Sequence, residues 1–225
     1  MKGVDLSVWQ KGMDLAKVKE AGYGFVILRG GFTGYGEKRT KNKDETFEDF
    51  YQQAKRQGLG VGVYWYSCAI CRQDGVEEAE YLYENCLKGK QFDYPVYIDV
   101  EEPRWQANRK KGVTDAIIGF CEYIGEKGYC AGVYSNLSWF AGMIDTSRLD
   151  RYTKWVASWS QQPPKVSFPG FDMWQNSNNG NIGGYQVDTN VAYADFPDMI
   201  QRGIGTTDTD KPTLLDHIIQ LLARK

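Results

Sequence analysis

Short apolar runs alternate with polar segments along the first 200 residues of the chain. The runs Gly3 to Val8, Phe25 to Arg29, Gly60 to Tyr66, Pro95 to Val100 and Ala131 to Tyr134 predict strands. Between them, apolar residues recurring every three or four positions predict helices over Leu15 to Glu20, Thr46 to Gln57, Val76 to Cys86 and Val113 to Glu126. The last of these shows the pattern clearly. Val113, Ala116, Ile117, Phe120, Cys121 and Ile124 form one stripe, Asp115, Glu122 and Glu126 fall mostly outside it, and Gly128 ends it. Strand, helix, strand at this spacing predicts a parallel sheet covered by crossover helices.

After Asp150 the rhythm changes. Trp155 to Trp159, Phe171 to Gln175 and Gly184 to Asp188 are strand-like, separated by Pro163-Pro164, Pro169-Gly170 and Asn178-Asn179-Gly180. These gaps are too short for full crossover helices, so antiparallel hairpins are expected at this end. The pattern predicts an α/β fold: an eight-stranded barrel that begins as β/α units and finishes mostly as β. An open doubly wound sheet is the competitor; no Gly-x-Gly-x-x-Gly turn follows the first strand, which weakens a nucleotide-binding version. Residues 1–202 are expected to form the barrel and 203–211 a polar linker. Residues 212–225 should form a short helix that starts at Pro212, with Leu214, Leu215, Ile218, Ile219, Leu221 and Leu222 on its apolar side.

Composition narrows the function classes. The chain has 225 residues, 42% of them hydrophobic, which suits one substantial core. Formal charge is only -2, with Lys and Arg scattered, so no nucleic-acid partner is expected. No apolar run reaches the roughly 20 residues of a membrane span, and Asp5 stands where a signal peptide would be apolar. Neither membrane insertion nor a signal peptide is therefore expected. Five cysteines, at 68, 71, 86, 121 and 130, leave at least one unpaired within the chain. Cys68 and Cys71 are read as ordinary thiols, with a loop disulfide as the lesser option. A zinc site lacks ligands, the chain's one histidine being His217, and no metal or other cofactor is expected.

The run Tyr97-Ile98-Asp99-Val100-Glu101-Glu102 carries the most chemistry. Alternate strand residues share a face, so Asp99 and Glu101 should point one way, roughly 6.6 Å apart at Cα, with Ile98 and Val100 opposite. Two such carboxyls raise each other's proton affinity, as general acid and charged partner require in glycoside hydrolysis. A magnesium site or plain strand-end solvation remains open on this pattern. Asp5 in the first strand and Asp188 ending the last should meet across the barrel seam, at the C-terminal strand ends where such barrels hold their sites. Glu102 is expected opposite Glu101, in a structural or solvent-facing role.

Trp9, Tyr64, Trp65, Tyr66, Tyr134, Trp155, Trp159 and Trp174 crowd the same strand ends. Trp65 and Trp155 are read first as core. Acids ringed by amphipathic rings suit a sugar, whose C–H faces pack on aromatics. Arg29 either orders an inward carboxylate or substrate, or forms a structural ion pair. Serine and cysteine triads lack a histidine base, whereas a metal-dependent hydrolase remains the chemical rival.

With these residues in view, the chain resembles glycoside hydrolase family 25, the Chalaropsis-type or phage-type lysozymes, over about residues 1 to 200. Four blocks carry the resemblance: Gly3-Val4-Asp5-Leu6-Ser7-Val8-Trp9-Gln10, Tyr97-Ile98-Asp99-Val100-Glu101, Asp172-Met173-Trp174-Gln175 and Val187-Asp188-Thr189-Asn190. It implies an irregular TIM-like barrel of five β/α-type and three further strands. It also implies cleavage of the β-1,4 bond between N-acetylmuramic acid and N-acetylglucosamine in bacterial peptidoglycan, with net retention. Glu101 is then general acid and base, Asp99 the stabilising or nucleophilic partner, and Asp5 and Asp188 complete the acidic pocket. Trp9, Gln10, Arg29, Tyr64, Tyr66, Tyr134, Trp174 and Gln175 are the expected substrate contacts. Family members often carry wall-binding modules after the barrel, so residues 203–225 are expected to self-associate, to pack on the barrel or to precede such a module. Action on the cell wall without a leader fits holin-type release of a phage or prophage enzyme.

Overall fold

The computed structural model describes residues 1–35, 38–102, 110–203 and 205. Nine strands form its sheet: β1 Lys2–Leu6, β2 Phe25–Thr33, β3 Lys41–Lys43, β4 Gly60–Tyr66, β5 Val96–Asp99, β6 Ala131–Asn136, β7 Thr153–Ala157, β8 Met173–Ile182 and β9 Tyr185–Ala192. The order is β1-β9-β8-β7-β6-β5-β4-β2-β3, and β1 also pairs with β2, so eight strands close into a barrel and β3 hangs on β2. Helices α1 Ala16–Glu20, α2 Phe47–Arg56, α3 Arg72–Leu82, α4 Lys110–Glu126, α5 Leu137–Gly142 and α6 Phe196–Gln201 fill the connections. The expected α/β, irregular TIM-like barrel is the observed fold.

Alternation on each strand sorts the side chains into two cores. Val4, Leu6, Val26, Leu28, Val96, Ile98 and the α4 stripe pack between barrel and helices. Phe25, Ile27, Tyr97, Tyr134, Trp155 and Met173 fill the barrel, and Phe196 and Met199 of α6 join them. Burying a large aromatic such as Phe25 or Phe196 in such a core is worth about 1.5–3 kcal/mol relative to leaving it exposed. The interior is thus packed, and only its C-terminal mouth is left for a polar site.

Three expectations change. The first strand ends at Leu6, because Ser7 and Gln10 cap a 3-10 turn over Val8–Gln10 reciprocally. The second strand runs past Arg29 to Thr33, through an irregularity between Arg29 and Gly31, and pairs with β3. Asn178-Asn179-Gly180 is not a gap but part of β8, whose register shifts between Gln175 and Ser177 and again before Gly180. The reversal comes later, at Gly183 and Gly184, with φ of 60° and 90°, the left-handed pair a two-residue hairpin needs. Antiparallel pairing is confined to β8–β9, β9–β1 and β2–β3, while β7 and β8 run parallel despite the short connection.

No helix among the described residues is long and apolar enough to cross a membrane. None of the five cysteines is in a disulfide; four are buried and Cys71 is exposed. The expected helix over 212–225 and almost all of the expected linker over 203–211 lie outside the described residues.

Candidate active site

The barrel seam builds half of the site. β1 and β9 pair antiparallel with Asp5 directly opposite Asp188, so one face of the seam carries both carboxyls. β5 supplies the other half. Asp99 is its last residue, flanked in register by Tyr66 on β4 and Tyr134 on β6. The backbone just beyond is held in place: Ser67 N–H donates to the Asp99 carbonyl (2.9 Å), Val100 N–H to the Tyr134 carbonyl (3.0 Å), and Ser135 Oγ to the Val100 carbonyl (2.6 Å). Glu101 therefore leaves a fixed strand end at the cleft wall, and Val100 is fully buried opposite.

These acids share a cleft of about 480 Å³ lined by Asp5, Asp99, Glu101 and Asp188 together with Trp9, Arg29, Tyr64, Tyr66, Tyr134, Trp155 and Gln175. Val8, Phe32 and Tyr35 complete its wall. An adjoining lobe of about 390 Å³ shares Asp5, Trp9, Tyr64 and Asp188 and adds Gln10 and Gln186. Both volumes fall in the range of pockets for small organic ligands. Trp9 is the most exposed of the described aromatics, at 81%, with Tyr35 and Trp159 also half-exposed.

A continuous hydrogen-bond network holds the seam acids. Gln175 Nε2 donates to Asp5 Oδ2 (3.1 Å) and Asp188 Oδ2 (3.2 Å), and its Oε1 accepts from Tyr134 Oη (3.0 Å) and Trp159 Nε1 (3.0 Å). Asn190 Nδ2 donates to the same Asp5 oxygen (2.8 Å) and its Oδ1 accepts from Trp155 Nε1 (2.9 Å). On β2, the strand next to β1, Arg29 Nε donates to Asp44 Oδ2 (2.6 Å). Asp44 is itself buried and anchored by the Val8 N–H, the Thr46 N–H and the Thr46 hydroxyl. Arg29 thus forms the structural ion pair while also lining the cleft.

Burial dominates the electrostatics. It raises Asp99 well above the ordinary carboxylate range, the charges of Glu101 and Asp5 raise it further, and Arg29 pulls the other way. Glu101 is raised by burial, then by Asp188 and Glu102. Asp5 is pushed up to about 7 by burial and the Asp188 charge, against the lowering bonds from Asn190 and Gln175, and burial takes Asp188 to about 6. Crowded and buried in this way, each of the four acids holds a proton more readily than an exposed carboxyl does. Asp99 Oδ1 is buried with no hydrogen-bond partner among the described residues, and Asp99 sits at the floor, 4% exposed, while Glu101 is more open to the cleft.

Not every expected contact joins the cleft. Trp174 points away from the barrel axis, buried, its indole donating to the Ser158 carbonyl (2.8 Å). Met173 and Gln175 take the inward positions on that strand, which excludes the residue between them. Gln10 lines only the adjoining lobe, where its Oε1 accepts from Ser7 N–H and its Nε2 donates to the Gln186 carbonyl. Trp65 is wholly core; Trp155 is 1% exposed, yet its ring forms part of the cleft wall. Glu102 is buried rather than solvent-facing and accepts from Tyr66 Oη (3.1 Å). The strand has ended by then, so alternation no longer governs it. Sequence reasoning missed Asn190 and Asp44. Asn190 lies two residues after Asp188 on one strand, so alternation alone puts the two on one face.

The structure is thus a closed β/α barrel with carboxyls gathered at its C-terminal mouth, in a cleft walled by aromatic rings. Residues 4–185 match the profile described as glycosyl hydrolases family 25, and the chain belongs to that family. It is similar to the autolytic lysozyme of Clostridium acetobutylicum, 29% identical over 186 residues, covering 82% of this chain and 52% of that protein. Lysozyme M1 of Streptomyces globisporus is 24% identical over 84% of this chain and 65% of its own length. The chain therefore spans about half to two thirds of these relatives. Among solved structures, the bacterial lysozyme of Streptomyces coelicolor superposes with a TM-score of 0.73 at 25% identity, covering 86% of this chain and 92% of that one. The CTP1L endolysin superposes with a TM-score of 0.76 at 23% identity over 89% and 69%, a likeness of fold.

Proposed function

We propose that the chain is a peptidoglycan hydrolase that cleaves the β-1,4 bond between N-acetylmuramic acid and N-acetylglucosamine with net retention. The observation that carries this reading is the gathering of Asp5, Asp99, Glu101 and Asp188 in one aromatic-walled cleft, with the proton affinity of each raised. Relatives named as lysozymes support the substrate.

Glu101, the more open of the β5 acids, protonates the leaving oxygen and afterwards activates water. Asp99, at the floor, supports the positive charge that develops on the sugar ring. Asp99 lines the cleft where the anomeric carbon or the substrate's 2-acetamido group would face it. Ionised Asp188 adds to the burial that raises Glu101, and Asp5 acts in the same way on Asp99. Trp9, Tyr35 and Tyr66 offer ring faces along the glycan, and Gln10 a polar contact in the adjoining lobe. Trp174 has no direct part.

Digestion of purified peptidoglycan followed by identification of the new reducing ends tests the reading. Muramic acid at those ends is the expected result. Glucosamine ends, or released peptides without new reducing sugars, would refute it. Full activity in chelator is expected; its loss would favour the metal-dependent alternative.

A further inference from the structure

Gln175 is 2% exposed, and its side chain has no hydrogen-bonding capacity left for a ligand. The amide has two hydrogens, given to Asp5 and Asp188, and two lone pairs, taken by Tyr134 and Trp159. An indole N–H only donates and an ionised carboxylate only accepts. A reversed amide would therefore set N–H against N–H and oxygen against oxygen, so the partners dictate one orientation. Both bonds to the acids end on Oδ2, which leaves the Oδ1 of each outside the clamp.

We propose that Gln175 is a positioning residue rather than a substrate contact: its amide clamps Asp5 and Asp188 into one unit across the seam and ties that unit to the rim ring of Trp159. This rests on the glycosidase reading of the cleft. Trp159 is 59% exposed and anchored through its Nε1, so its ring is presented at the rim by the same amide that aligns the acids. A sugar packed on that ring and the acids below it are then held to one reference point. The groups facing the clamped pair are Arg29 and Tyr64 on β2 and β4, Asp99 and Glu101 at the end of β5, and Tyr134 on β6. Asn190 braces Asp5 from the other side. Arg29 is the one cation among them, and it is engaged by Asp44, so the amide donors of Asn190 and Gln175, ahead of a backbone N–H, support ionised Asp5.

The experiment combines carboxyl-carbon NMR titration of Asp5 and Asp188 with kcat and KM for release of reducing ends from peptidoglycan across pH, in the full chain and in Gln175→Met and Gln175→Glu. Circular dichroism and melting establish that each variant is folded. In Gln175→Met the protonation midpoint of the pair should rise by about 1 pH unit, the equivalent of a tenfold change, on loss of hydrogen bonds to a charged group. The kcat should fall about tenfold or more with KM nearly unchanged, and the pH–rate profile should narrow. Gln175→Glu should recover activity only in part and only at acid pH, where its protonated carboxyl donates to one of the two acids. Unchanged midpoints, an equal loss of rate at every pH, or a rise in KM alone would overturn the assignment. If Gln175→Met does not fold, the titration of Gln175→Glu decides. Absence of reducing ends from the unaltered chain would instead defeat the glycosidase reading, while the titrations would still judge the clamp.

Discussion

At Glu101 the cost of burying a carboxyl is turned into a reserve of protons. Glu101→Gln keeps the shape of the side chain and removes the proton, so the rate should fall about 100- to 10,000-fold with the melting temperature nearly unchanged. Assays of reducing-end release beside thermal melts separate the two. Asp188→Asn makes a subtler prediction. The Asp188 charge is, after burial, the leading cause that raises Glu101. Without it Glu101 loses its proton at lower pH, so the alkaline limb of the pH–rate profile should move toward acid. Glu102→Gln should alter the rate only modestly, because its partner is the Tyr66 hydroxyl, which an amide oxygen still accepts. The four acids were legible in the sequence through alternation along the Asp99 run and through the blocks that resemble the family, since alternation by itself left other uses open. Trp174 was misread for a reason the sequence also contained: on one strand it and Gln175 cannot both face the cleft.

Among the elements, α3 is tied to the strand ends by one buried acid. Glu78, 2% exposed, accepts from the Thr33 hydroxyl at the end of β2 (2.6 Å), and from the Ser67 hydroxyl (2.5 Å) and Cys68 N–H (3.1 Å) just past β4. Burial pushes Glu78 up to about 7 despite those bonds. Its folded-state proton affinity thus exceeds the unfolded one, so its contribution to stability is fully present below about pH 4.5 and is lost as pH rises through about 7. Glu78→Gln should flatten the pH dependence of the melting temperature across that window; an unchanged slope would count against this account. The β8–β9 hairpin makes a second test. A side chain at Gly184, φ 90°, is strained, and Gly184→Val should lower stability by about 1–2 kcal/mol in urea unfolding. The β2 extension and β3 were not legible, because Thr33 to Lys43 is polar and carries no alternation. The Asn178-Asn179-Gly180 stretch has turn composition but is held in a strand by pairing with β9 through two register shifts.

For the whole molecule, alternation and spacing were enough to foresee a barrel with a helix-poor end, since both follow from local pattern. What local pattern lacks is registry between distant strands. Nothing short-range sets Asp5 against Asp188, or brings Asn190 and Gln175 to the same oxygen; barrel closure does. The inner core carries that closure, and Phe196 at the base of the barrel meets Tyr94 at 5.4 Å between ring centroids. Phe196→Ala should cost about 3–5 kcal/mol in equilibrium unfolding. It should lower activity only as far as it lowers the folded fraction, because α6 lies outside the cleft.

The seam also has a consequence in time. The bond from Asn190 to Asp5 spans 185 residues, and the ammonium of Met1 meets the carbonyl of Ala192 across 191. Contacts this distant in sequence are the slowest to form, and during synthesis they wait for the last strand to leave the ribosome. The early-made strands bring Asp99 and Glu101 together, but the field of the seam acids is missing until β9 docks. On the proposed glycosidase reading, a growing chain lacks part of its site until the step that seals the fold.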